Sequence, residues 1–175
     1  MIGNRLTLDE KSIHTDISQE NLEKAILIGE RRANSYKSGG YGTPRGKSLE
    51  RVMQEGAVGE MMVSQHYNAQ FDERIIDGGD NGADMTICGD SVDVKVSTHP
   101  SPELLVKASK LTADVYVLVH LNCSPSEPIP LEGMIVGYER AEELEKLTPG
   151  RFYSDIMNYR VDWKGLKKMP SAREQ

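Results

Sequence analysis

Cysteine occurs only twice in the 175 residues, and Cys88 and Cys123 stand apart, each in or beside an apolar run. Small disulfide-framed domains and cysteine-ligated zinc sites need more thiols at tighter spacing, so neither is expected. No apolar run approaches the ~20 residues that span a bilayer, and the opening MIGNRLTLDEKS lacks the basic-then-apolar layout of a signal peptide. A cytoplasmic protein without a membrane partner is expected. Positive charge is also in deficit, with 21 Lys and Arg against 27 Asp and Glu, a net charge of −6. That balance argues against a protein that coats nucleic acid through phosphate neutralisation, while leaving room for a local basic groove. Carboxylates that hold divalent ions would count among those acids. Walker loops, GxGxxG elements, Ser/His/Asp patterns, internal repeats and linkers are missing too.

What is present suits one globular domain, with 38% hydrophobic and 27% charged residues. Residues 19–36 carry apolar positions at Leu22, Ala25, Ile26, Ile28, Gly29 and Ala33, an amphipathic helix with Asp16 or Ser18 as cap. It ends in KSGGYGTPRGK, where glycines and a proline break any period. From Ser48 a second helical stripe runs through Leu49, Val52, Met53, Gly56, Ala57, Glu60, Val63 and Tyr67. One member of that apolar stripe, Glu60, is an acid. Glycines inside it are tolerated where the helix lies tight on a neighbour.

Strands are expected at 69–77, at 83–88 and 91–97 as a hairpin, at 114–121 as a run buried on both faces, and at 132–138. ELLVKASKL reads as a short helix after the hairpin, and AEELEKL as a last one; residues 149–169 give no assignable pattern. The expected fold is α/β, a single domain over 1–175 with a central mixed sheet of about five strands flanked by helices. Its core spans about 48–138, with extensions at 1–47 and 147–175.

The hairpin GADMTICGDSVDVKVST poses the functional question. With Gly89-Asp90 as a two-residue turn, Cys88 opposes Ser91 and Asp84 opposes Lys95. Asp93 and Lys95 share a face by period, so Asp84, Asp93 and Lys95 converge while Val92, Val94 and Val96 fill the other side. A polar ladder with a weak ion pair would explain this on a half-exposed hairpin. Asp is a poor strand former, however, and Glu60 sits on a helix that must pack on the same sheet, where an unpaired charge is costly. Three carboxylates directed at one point call for a cation, and hard oxygen ligands suit Mg2+ or Mn2+.

These residues, Asp84, then Asp93-Val94-Lys95 on a hairpin, preceded by a helical Glu60 in GAVGEMM, resemble the PD-(D/E)XK nuclease superfamily, the restriction-endonuclease-like fold. ADVYVLVHL and GMIVGY are similar to the later strands of phage and Holliday-junction-type members. The resemblance implies a metal-dependent nuclease acting on DNA, RNA remaining open, with Glu60, Asp84 and Asp93 as metal ligands and Lys95 as the catalytic lysine. Ala83 stands where the name-giving proline would be, and the second acid is Asp93 rather than the commoner Glu. A noncatalytic binding module or inhibitor that keeps the fold is the rival reading.

Further contacts to nucleic acid are expected from the loop 37–47, through Lys37, Arg45 and Lys47 with Tyr41 to stack on a base, and from Lys107 and Lys110. Each of these also reads as ordinary solvated surface. Asp77 and Asp80 in GGDNGAD lack the spaced ligands and terminal Glu of a calcium loop. His66, His99 and His120 lie far apart in the chain. A small enzyme that cuts two strands works as a pair, so a homodimer is an expected assembly.

Overall fold

A computed structural model of the chain describes residues 11–36, 46–75 and 82–172. Chain order gives β1 (Ile13–Asp16), α1 (Gln19–Ser35), α2 (Leu49–His66), β2 (Met85–Ile87), β3 (Asp90–Ser97), β4 (Glu103–Lys107), β5 (Val115–His120), β6 (Glu132–Arg140), α3 (Ala141–Leu144) and β7 (Asn158–Asp162). The chain is thus α/β. Both long helices begin at a serine whose hydroxyl accepts a backbone N–H three residues on, Ser18 from Asn21 and Ser48 from Arg51. No described helix is long and apolar enough to cross a membrane.

Five strands form a mixed sheet in the order β1-β6-β5-β3-β2, in which β3 and β5 run parallel and the remaining pairs antiparallel. Every residue of β5 is buried, as its unbroken apolar run requires. Alternation along this strand divides the core. Val115, Val117 and Val119 face α1 and α2 together with Val92 and Val94, whereas Tyr116 and Leu118 pack with Leu104 and Val106. The second face is therefore covered by a separate two-stranded sheet of β4 and β7.

That cover corrects two expectations. ELLVK is strand, not helix: Leu104 and Val106 are buried and alternate with less buried neighbours, a two-residue period satisfied by pairing with β7 across more than fifty residues. Residues 69–75 form no strand; they follow α2 as irregular chain, and the sheet gains β1 in their place.

Two glycines set the layer spacing. A Cβ on Gly29 would lie 2.4 Å from the Gln54 backbone, so α1 and α2 meet main chain to main chain. A Cβ on Gly59 would lie 2.3 Å from Val96 Cγ2. This close approach of α2 to β3 brings Glu60, the next residue, to the sheet. Gly56, by contrast, has no neighbour within 4 Å of an added Cβ, so close approach does not explain it.

Candidate active site

The hairpin turns at Cys88-Gly89, one residue earlier than the glycine-first choice. Both residues have positive φ, 52° and 87°, as a type I′ turn demands, and Cys88 is exposed there despite its apolar neighbours. Met85 consequently pairs with Val92 and Ile87 with Asp90. The register slips by two residues, which leaves every side chain on its expected face but sets Asp84 beside Asp93 instead of opposite Lys95. Asp84 precedes β2, and its Oδ2 accepts the Val94 N–H at 2.6 Å. Asp93 and Lys95 share a face with Tyr116 and Leu118, their partners on β5. Lys95 Nζ donates to both Asp93 oxygens, at 2.7 and 2.8 Å.

Glu60 arrives from α2 and is almost fully buried. Its two oxygens each accept from Arg32 Nη1 at 2.8 Å, and Arg32 Nη2 donates to the Asp72 carbonyl at 2.7 Å. The electrostatics tie the three acids together. Burial, then the charges of Glu60 and Asp93, hold the Asp84 carboxyl well above the ordinary range, against the Val94 hydrogen bond and the Lys95 charge. Burial pushes Glu60 up as well; Arg32 offsets part of that, and Asp93 and Asp72 add to it. For Lys95, burial works against the charged ammonium, but the Asp93 carboxylate and its hydrogen bonds, with Asp84, outweigh it and raise the pKa.

Two clefts border this group. One of about 350 Å³ lies beside Asp84 and is walled by Gln70, Asp72, Arg74, Ala83, Met85 and Thr86. The segment that fails to form a strand thus serves as a wall and as the anchor of Arg32. A larger cleft of about 700 Å³ starts at Lys95 and runs between residues 97–100 and 122–125.

Of the expected nucleic-acid contacts, Lys37, Tyr41 and Arg45 lie outside the described residues, as do Asp77 and Asp80. Lys47 is not a loose surface cation: its Nζ donates to Glu55 at 2.5 Å and to Thr98 at 2.7 Å, and only 11% of its side chain is exposed. Glu55, itself buried, also accepts from Arg51 at 2.7 Å. Two cations around one buried acid brace the end of α2 against the loop after β3, so Lys47 shapes the floor of the larger cleft. Lys107 ends β4 rather than a helix, and Lys110 follows in a turn whose N–H donates to the Lys107 carbonyl. Neither lines either cleft.

Arg32 is the residue that sequence reasoning missed. The signal was present, because Arg32 follows Ile28 and Gly29 by four and three residues on the buried side of α1, and an arginine there needs an acid.

Among the described residues, no three His, Cys, Asp or Glu side chains stand gathered as a metal-holding group. The donor types are nevertheless those a hard cation takes: the Asp93 charge raises the cost of ionising both Glu60 and Asp84, which a divalent ion would relieve. No protein-family model, curated protein or solved structure matches this chain.

Proposed function

We propose that the chain is a metal-dependent nuclease of the restriction-endonuclease-like kind that hydrolyses DNA phosphodiester bonds. One observation carries the reading: the hairpin register sets Asp84 beside Asp93, whose two oxygens hold the Lys95 ammonium, with the buried Glu60 carboxylate close enough for its charge to bear on Asp84. A bound cation would relieve such crowding of carboxylates. Asp84, Asp93 and Glu60 would hold Mg2+ or Mn2+, and a bound ion of this kind polarises a phosphoryl oxygen and lowers the pKa of water.

The protein's own groups divide the remaining work. Lys95, held by both Asp93 oxygens, would orient or help deprotonate the attacking water, or stabilise charge developing on the phosphate. Asp93 positions that ammonium through both of its oxygens. Arg32 holds Glu60 oriented while it is buried.

A second reading, a noncatalytic module that retains the fold, draws on the same Arg32. A guanidinium that already neutralises Glu60 removes one acid from the crowd. Thermal unfolding with added Mn2+ separates the two, because an ion that binds only the folded state stabilises it by about 2.7 kcal/mol at 100 times its Kd. The nuclease reading expects a saturable rise in Tm that Asp84→Asn abolishes. No rise with Mn2+ or Mg2+ would favour the noncatalytic module.

A further inference from the structure

The turn after β3 forms one wall of the larger cleft, through Thr98, His99 and Pro100, and the ring at its base is anomalous. His120 closes β5 opposite Ser97 of β3 and Met134 of β6. It is only 2% exposed, yet neither ring nitrogen has a hydrogen-bond partner. A neutral imidazole carries one donor and one acceptor, and buried groups of this kind are ordinarily satisfied. The His99 main chain approaches the ring without completing a hydrogen bond.

The surroundings offer a proton on this ring no counter-charge. Alternation puts His120 on the face of Tyr116, Leu118 and Lys95. On that face β3 supplies Asp93 and Lys95, which are paired with each other. From β6 come Met134 and, at the exposed start of the strand, Glu132; from β1 comes the exposed His14, opposite Met134. The covering strand β4 turns Leu104 and Val106 to the core and Glu103 to the cleft. Among the described residues, the charge that bears on His120 is another cation, that of protonated His99. Burial pushes the His120 pKa down; the His99 main chain restores part of this, and the His99 charge lowers it again.

The turn itself is lightly held. Residues 99–101 are exposed, and Pro100 and Pro102 have no N–H to donate. Lys47 Nζ donates to the Thr98 hydroxyl at 2.7 Å, the His99 N–H to the Ser97 hydroxyl at 3.2 Å, and the Leu121 N–H to the Ser97 carbonyl at 3.0 Å. Such a segment opens more readily than the strands it joins.

We propose that His120 is a pH-sensitive latch: neutral, it seals the 98–101 turn against the end of β5; protonated, it draws in water, releases the turn and widens the larger cleft at Lys95. The device stands apart from the phosphodiester-hydrolysis reading and operates whatever the cleft admits. Its direction follows from the ring. A base whose folded-state pKa is lowered favours the closed form fully above the ordinary imidazole value and loses that preference as pH falls below it.

Two measurements on the whole chain test the latch: the titration of the His120 ring by NMR, and amide hydrogen exchange at Leu121 and Val117 from about pH 7.5 to about pH 5, corrected for the intrinsic pH dependence of exchange. Wild type, His120→Phe and His120→Leu are compared. In wild type the Leu121 amide should exchange roughly tenfold faster at the acid end, with the midpoint of the His120 titration, while Val117 at the centre of the same strand changes less. Both variants fill the site without a proton acceptor and should show no such rise. Exchange at Leu121 that is flat in wild type, or a rise that persists in either folded variant, overturns the proposal. If both variants fail to fold, the two wild-type midpoints decide it: coincidence supports the latch and separation overturns it.

Discussion

Arg32 and Glu60, 28 residues apart on two helices, form a pair in which one guanidinium nitrogen reaches both carboxylate oxygens at 2.8 Å. Only 18% and 9% of the two side chains is exposed. Removing one partner of a buried pair strands the other charge, at a cost of roughly 3–5 kcal/mol. Arg32→Ala should therefore lower stability by about that much in metal-free buffer, measured by urea unfolding, and the Arg32→Met, Glu60→Leu double variant should recover most of it. A single variant as stable as wild type would remove the pair from the account.

Asp84 gives the metal-free protein an unusual pH dependence. Its folded-state pKa lies above the unfolded one, so its contribution to stability is fully present below the ordinary carboxylate pKa and is lost as pH rises through the folded value. Glu60 acts in the same direction. Asp84→Asn keeps an oxygen for the Val94 N–H and removes the charge. It should be more stable than wild type at pH 7 without metal, with the gap closing as pH falls toward 4. A wild type that outlasts the variant across that range would contradict the crowding of the acids.

Gly29 tests the helix contact that puts Arg32 in place. Gly29→Ala gains about 1 kcal/mol of helix propensity, but its Cβ would meet the Gln54 backbone at 2.4 Å, which cannot rotate away. Overpacking of this kind costs roughly 1–3 kcal/mol, so a net loss of Tm is expected. An unchanged or higher Tm would mean that α1 and α2 can separate freely.

The helices and the hairpin parity were legible because they depend on local signals. Ser18 and Ser48 cap where the apolar stripes begin, and the alternation of Val92, Asp93, Val94 and Lys95 fixes which residues share a face, whatever the register. The register itself was not legible. It depends on Cys88 adopting a left-handed conformation that non-glycine residues seldom take, and on Asp90 leaving the turn to pair with Ile87 and bind Arg140. ELLVK was misread because five residues carry too little period to separate strand from helix, and its partner β7 lies in a stretch without pattern. The nearness of Glu60 to the hairpin was legible from its place on an apolar stripe, but the cation that holds it came from a helix read only for its apolar face. The ion pair of Lys47 was not legible for a related reason: a lysine in a glycine-rich loop looks solvated until the buried Glu55 is known.

The most direct test of the central claim is a time course of DNA cleavage in Mn2+ by wild type, Asp93→Asn and Lys95→Ala, with single-stranded, duplex and branched substrates. Removing a carboxylate at the centre of the acidic group, or the cation it positions, should slow cleavage roughly a hundredfold or more, with each variant's melting curve confirming that it is folded. Cleavage by wild type that falls in both variants is the predicted result; equal rates in all three proteins, or no cleavage of any substrate by wild type, would contradict it.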